Sequence, residues 1–173
     1  IKQSSDNLLI IINDILDFSK IEAGKITIEQ HPFSLRSIIE NIKEMMDIKA
    51  QEKKLEFKYS IEDKVPDQII GDSTRLTQIL VNLIGNAIKF TEKGCVSINV
   101  NTLELKEEQV LLKFDVIDTG IGISKDYVNR IFESFTQAGT DTARKYGGTG
   151  LGLTISKQLV DLMNGKIYVE SEP

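Results

Sequence analysis

The chain has 173 residues, 40% hydrophobic and 27% charged, with a formal net charge of -5, which describes a globular protein with one sizeable core and no basic face for nucleic acid. A single cysteine, Cys95, excludes an internal disulfide and fits a reducing, cytoplasmic setting. The longest apolar run near the start, Leu8 to Ile12, falls far short of the roughly 20 residues needed to span a bilayer, and no signal-peptide pattern is visible.

From Ile1 to about Ala23, the residues Ile1, Leu8, Ile11, Ile15 and Phe18 fall on heptad a and d positions, and Leu9, Ile12 and Leu16 widen the stripe. The pattern predicts a long N-terminal helix stopped at Gly24, packed on its own domain or forming one arm of an intermolecular helical bundle. Lys25 to Phe33 alternates as a half-buried strand does, and Ser34 is placed to cap a helix running to about Glu52. Leu55 to Ile61 and Ile69-Ile70 read as strands. Asp72 or Ser73 caps the next helix, which carries Leu76, Ile79, Leu80, Leu83, Ile84, Ala87 and Ile88 and stops near Thr91. Cys95 to Leu103 and Val110 to Ile117 form a predicted hairpin, and Ser124 starts a short helix to about Phe132. Thr136 to Gly148 is polar, almost without aliphatic residues, and is the candidate for a mobile lid. A last helix, Leu151 to Asn164, is closed by Gly165, and Ile167 to Val169 begins a strand that the C-terminus truncates. This order predicts an α/β protein: a two-layer α/β sandwich, its mixed sheet covered on one face by helices, preceded by the long N-terminal helix. A chain that opens inside a helical pattern and closes at Ser171-Glu172-Pro173 reads as part of something longer, with any membrane anchor of the parent outside it.

Two glycine-punctuated loops lie about thirty residues apart, Asp118-Thr119-Gly120-Ile121-Gly122-Ile123 and Gly147-Gly148-Thr149-Gly150-Leu151-Gly152-Leu153, and upstream of both stands Asn82-Leu83-Ile84-Gly85-Asn86-Ala87-Ile88-Lys89-Phe90. Glycine lets backbone N–H groups approach a phosphate, and a helix opening after such a loop adds its positive end. One such loop alone marks only a turn; the ordered set of three reads as a nucleotide pocket. Spacing excludes other pockets. Gly165-Lys166 is followed by Ile167, so it is no Walker A, and Gly-x-Gly-x-x-Gly fails at Lys125 and at Leu153. The lone histidine sits in His31-Pro32, so a serine/threonine kinase His-Arg-Asp is absent.

What remains, over roughly residues 26 to 171, resembles the catalytic ATP-binding domain of sensor histidine kinases, within the fold family shared with gyrase, the Hsp90 chaperones and MutL. Asn82-x3-Asn86-Ala87-x-Lys89-Phe90 resembles the family's Asn-rich box, and Asp118-x-Gly120-x-Gly122 its first glycine box. Phe132-x2-Phe135 resembles its Phe motif, and Gly148-x-Gly150-x-Gly152 its second glycine box. Thr142-Ala143-Arg144-Lys145-Tyr146-Gly147 is similar to the lid of the hybrid-type subgroup. Asn13 to Gly24 resembles the second helix of the dimerisation and histidine-phosphotransfer domain, so the resemblance divides the chain into residues 1–24 and a catalytic domain, 25–173.

The resemblance implies Mg-ATP as ligand. Asp118 would accept from the adenine amino group, while Gly120, Gly122 and Ile123 pass the base and sugar. Asn86 would hold Mg²⁺, with Asn82 on the same helix face. Lys89 would meet a phosphate, although an exposed helix lysine by itself means nothing, and Phe90 would form a wall. Gly148, Gly150 and Gly152 would present N–H groups to the phosphates, with Thr149 as an auxiliary donor, Leu151 among the ATP-binding residues, and Arg144 and Lys145 as lid contacts. In the ATPase branch of the family a glutamate stands one turn before the metal-binding Asn and activates water; here that position is Asn82, an amide without useful basicity. The expected chemistry is therefore transfer of the γ-phosphate to a histidine in two-component phosphorelay signalling. That acceptor belongs to a phosphotransfer domain of the same parent, is absent from this chain, and leaves the chain unable to phosphorylate itself. A receiver domain and a parent homodimer through the helical bundle are the implied partners. The alternatives are an ATPase of the gyrase/Hsp90 type and a non-catalytic nucleotide-binding regulatory module.

Overall fold

Side-chain oxygens decide where the two long central helices begin. In the computed structural model, which describes residues 2–128, 130–134 and 150–172, the elements are α1 (Lys2–Glu22), β1 (His31–Ser34), α2 (Leu35–Glu52), β2 (Glu56–Ile61), β3 (Gln68–Gly71), α3 (Ser73–Phe90), β4 (Cys95–Leu105), β5 (Val110–Asp118), α4 (Lys125–Val128) and α5 (Gly152–Leu162). They fall into two units, Glu29–Gly122, and Ile1–Ile28 with Ile123–Pro173.

In the unit Glu29–Gly122, the Ser34 hydroxyl accepts from the Ser37 N–H and donates to Asp67, whose carboxylate also accepts from the Arg36 N–H at 3.0 Å. Asp72, 5% exposed, splits its two oxygens between the Arg75 N–H, capping α3, and the Glu29 N–H. β1 pairs antiparallel with β3, while β2–β4 is parallel and β4–β5 antiparallel, so the three-stranded sheet is mixed. Val96, Ile98 and Val100 alternate along β4 and are buried, together with Leu35, Ile39, Ile42 and Met46 of α2 and Leu80 and Ile84 of α3. Each such side chain contributes roughly 1.5–3 kcal/mol by leaving water. The register puts Lys58, Ser60, Ser97, Asn99, Asn101, Lys113 and Asp115 on the opposite face, where Ser60 donates to Asn99 at 2.8 Å. One face is thus covered by helices and the other is mostly polar, with Ile117 exposed on it beside Ser97.

In the other unit, α1 ends as its sequence predicts: Gly24 takes φ +62, the Lys25 N–H reaches the Lys20 carbonyl and the Gly24 N–H that of Ile21, each at 2.9 Å. α1 contacts α5, which buries Thr154, Ile155, Ser156 and Leu159.

Four expectations change. The alternation over 25–33 becomes a ladder only at His31–Ser34, because its partner β3 offers four residues; Ile26 and Ile28 are half-buried without strand pairing. The helix expected over 124–132 is described only over Lys125–Val128, followed by tighter turns in which Arg130 donates to Tyr127 and Glu133 to Arg130. Residues 167–169 alternate in exposure but have no ladder partner among the described residues. The last helix ends at Leu162, with Asn164 rather than Gly165 taking the left-handed conformation. The candidate lid lies outside the described residues.

Candidate functional site

α3 presents Asn82 and Asn86 four residues apart, both half-buried. The Asn86 side-chain amino group is directed at the side-chain Oδ1 of Asn82, 3.5 Å away, the orientation in which Asn86 offers its own amide oxygen elsewhere. Neutral amide oxygens are hard donors, and among the described residues no three His, Cys, Asp or Glu converge. That donor set cannot hold a bare dication, but it fits Mg²⁺, which is commonly shared between a protein group, phosphates and water. One turn on, the Lys89 ammonium lies 4.8 Å from the centre of the Phe90 ring. Burial holds the Lys89 pKa below its ordinary value.

The end of α3 is tied to the first glycine loop. The Phe90 carbonyl accepts from the Ile121 N–H at 3.4 Å, and a Cβ on Gly120 would stand 2.7 Å from that carbonyl oxygen and 2.7 Å from Asp118 Oδ1. No other residue fits there without displacement. The Gly120 N–H in turn donates to Asp118 Oδ1 at 2.8 Å, fixing the exposed carboxylate at the end of β5. Gly122 takes φ +68.

Sequence reasoning missed two residues here. The Thr119 hydroxyl accepts from the Cys95 N–H at 3.1 Å and donates to the Lys93 carbonyl, joining the loop after α3 to the loop after β5. Lys53 sends its ammonium to carbonyls at the end of α3. Neither has a spacing signature, since both act through tertiary proximity.

In the other unit the Ile123 N–H donates to the Ser171 hydroxyl at 2.9 Å. Gly150 takes φ +71, and Leu151 is buried, with its carbonyl accepting from Ile155 ahead of α5, which Gly152 opens. Thr154 donates to the Phe132 carbonyl at 3.1 Å. Arg144, Lys145, Gly148 and Thr149 lie outside the described residues, as do Phe135 and Tyr146.

A helix bearing paired amides and a half-buried lysine, set beside an Asp-Gly loop on a mixed sheet, defines a class. The chain belongs to the family of histidine kinase-, DNA gyrase B- and HSP90-like ATPases, whose model matches residues 71–173. Within it, the chain is 46% identical over its whole length to the signal transduction histidine-protein kinase BarA of Escherichia coli (strain K12), spanning 19% of that protein. It is 48% identical over 99% of its length to hybrid signal transduction histidine kinase L of Dictyostelium discoideum, spanning 10% of it. The sensory/regulatory protein RpfC of Xanthomonas campestris pv. campestris is 45% identical over 100% of the chain, which spans 24% of it. Among solved structures, full-length ShkA in complex with AMPPNP superposes with a TM-score of 0.79 at 33% identity, over 98% of this chain and 35% of that one. The histidine kinase AdeS of Acinetobacter baumannii shares the fold, with a TM-score of 0.74 at 20% identity, over 98% of this chain and 75% of that one.

Proposed function

We propose that this chain binds Mg-ATP and presents the γ-phosphate to a histidine on a dimerisation and phosphotransfer domain, as the ATP-binding part of a hybrid-type sensor histidine kinase. The observation that carries transfer over hydrolysis is the chemistry of α3. Its residues Ser73–Phe90 include no carboxylate, and Asn82, one turn before Asn86, is an amide that can orient a water but cannot deprotonate it. What α3 supplies is position and charge, which suffices for phosphoryl transfer to an acceptor brought from elsewhere.

The roles follow residue by residue. Asp118, held by the Gly120 N–H, accepts from the adenine amino group, and Gly120 and Gly122 admit the base and sugar. Asn86 ligates Mg²⁺, with Asn82 orienting its amide; the ion, when bound, neutralises phosphate charge. Lys89 meets a phosphate and Phe90 forms a wall. Ile123, Arg144, Lys145, Gly148, Thr149, Gly150, Leu151 and Gly152 join the reading on sequence alone. Residues 1–24 are the second helix of the phosphotransfer domain, and 25–173 the catalytic domain. The exposed Leu8, Leu9, Ile12, Ile15 and Leu16 of α1 support an arm that packs in a dimeric bundle. A receiver domain accepts the phosphate onward, in the cytoplasm. The similarity to the histidine-protein kinase BarA and to hybrid signal transduction histidine kinase L supports this reading.

The sole histidine, His31, heads β1 with its side chain 74% exposed and is followed by Pro32, so no bundle helix presents it for phosphorylation. The test combines titration with Mg-ATP, a separately supplied phosphotransfer domain, and Asn86→Ala. Nucleotide binding, labelled phosphate on the added domain but not on this chain, and loss of both binding and transfer in Asn86→Ala are expected. Brisk steady-state hydrolysis without an acceptor would instead favour the ATPase branch, and binding without transfer a regulatory module.

A further inference from the structure

The C-terminal end of α3 is closed by an ammonium from another helix. Lys53, the residue that ends α2, directs Nζ at the carbonyls of Ile88 (2.9 Å), Lys89 (2.6 Å) and Thr91 (3.1 Å). Helix ends leave such carbonyls without intrahelical partners and carry the negative end of the dipole. A lysine ammonium radiates three N–H donors from one point, which suits three converging carbonyls, whereas a planar guanidinium does not. The backbone sets this aim. α2 closes with the Lys53 and Leu55 N–H groups on the Ala50 carbonyl, and Lys54 adopts φ +59, a conformation usually left to glycine. Thr91, fully buried, adds its own hydroxyl bond to the Ala87 carbonyl at 2.7 Å.

The same short segment faces both parts of the candidate site in this unit. Lys89 leaves from it, one turn after Asn86, and the Phe90 carbonyl bonds Ile121 and abuts Gly120. We propose that Lys53 is a positioning residue for nucleotide binding: by holding the carbonyls of residues 88, 89 and 91, it fixes the end of α3 and with it the spacing between Asn86 and Lys89 on one side and Asp118 and Gly120 on the other. This rests on the nucleotide reading above. Lys53 itself touches neither base nor phosphate in this role.

The test uses the whole 173-residue chain with Lys53→Met, Lys53→Arg and, as a control in the same turn, Lys54→Gly. Amide hydrogen exchange is measured without nucleotide, and KM and kcat for ATP are measured with the phosphotransfer domain in trans, well below each variant's Tm. Lys53→Met is expected to speed exchange at Thr91 and Ile121 about tenfold relative to Ile98 and Val100, and to raise KM about tenfold with kcat within about twofold. Lys53→Arg keeps the charge but not the three-way convergence and falls between. Lys54→Gly leaves KM unchanged. A folded Lys53→Met with wild-type KM, or one in which kcat falls as much as KM rises, overturns the proposal. If Lys53→Met fails to fold, Lys53→Arg decides, and a wild-type KM there refutes it. If the wild-type chain binds no nucleotide, the functional reading and this role fail together. The exchange pattern would still show whether Lys53 holds the end of α3.

Discussion

Replacing Gly120 by alanine tests the join between α3 and the first glycine loop. The added Cβ would stand 2.7 Å from two oxygens, the Phe90 carbonyl and Asp118 Oδ1, each about 0.7 Å inside the 3.4 Å at which ordinary contact begins. The Phe90 carbonyl is backbone at the end of a helix whose neighbouring carbonyls are held by Lys53, so relieving that contact shifts the Gly120 loop, and the Asp118 carboxylate must turn aside as well. Overpacking of this kind costs about 1–3 kcal/mol, and losing the Gly120-to-Asp118 hydrogen bond adds about 1 kcal/mol. At roughly 2–4 °C per kcal/mol for a chain of this size, Tm should fall by about 5–15 °C. Because the displaced group is Asp118, Mg-ATP affinity measured by titration calorimetry on the folded variant should fall at least about tenfold, the equivalent of one charge-assisted hydrogen bond. Gly122 separates strain from crowding. Its φ of +68 makes asparagine better tolerated than alanine there, whereas at Gly120 asparagine should be no better than alanine. A Gly120→Ala variant with Tm within about 2 °C of wild type and unchanged affinity would refute the reasoning.

Gly85 lies inside α3 between the two asparagines, and no described atom lies within 4 Å of an added Cβ. Gly85→Ala should therefore stabilise the nucleotide-free chain by about 0.5–1 kcal/mol in urea unfolding, and a destabilised variant would show that the space is occupied. Burial depresses the Lys89 pKa, so between the folded and unfolded values the unfolded chain binds more protons and stability rises with pH; below the folded value the charged form carries a constant cost. Lys89→Met should remove this pH dependence while weakening Mg-ATP binding, and unchanged affinity would remove Lys89 from the site. Asp67 is held below the ordinary carboxylate value by the Arg36 N–H and then the Ser34 hydroxyl. Its contribution is complete above the unfolded pKa of 3.8 and is lost as pH falls through the folded value. Asp67→Asn should flatten the acid limb of the stability curve, and an unaltered limb would sink the assignment.

Periodicity and capping chemistry were legible in the sequence wherever a residue acts on its own neighbours. Ser34, Asp72 and Gly24 mark element ends because a cap bonds N–H or carbonyl groups within three or four residues, and Val96, Ile98 and Val100 declare a half-buried strand by alternation alone. The Asn-rich and glycine loops announced the family for the same local reason. Only tertiary structure decided what depends on distant partners. Alternation at 25–33 and 167–169 reports burial, but a ladder needs a second strand, and β3 supplies one for four residues only. Within the unit Glu29–Gly122, the placing of Lys53 on the carbonyls of α3, 35 residues away at Ile88, and of Thr119 on Cys95 leaves no periodic trace. A hydrogen bond across that separation is set by how α2, α3 and the sheet pack, and packing is not written in any short window of residues.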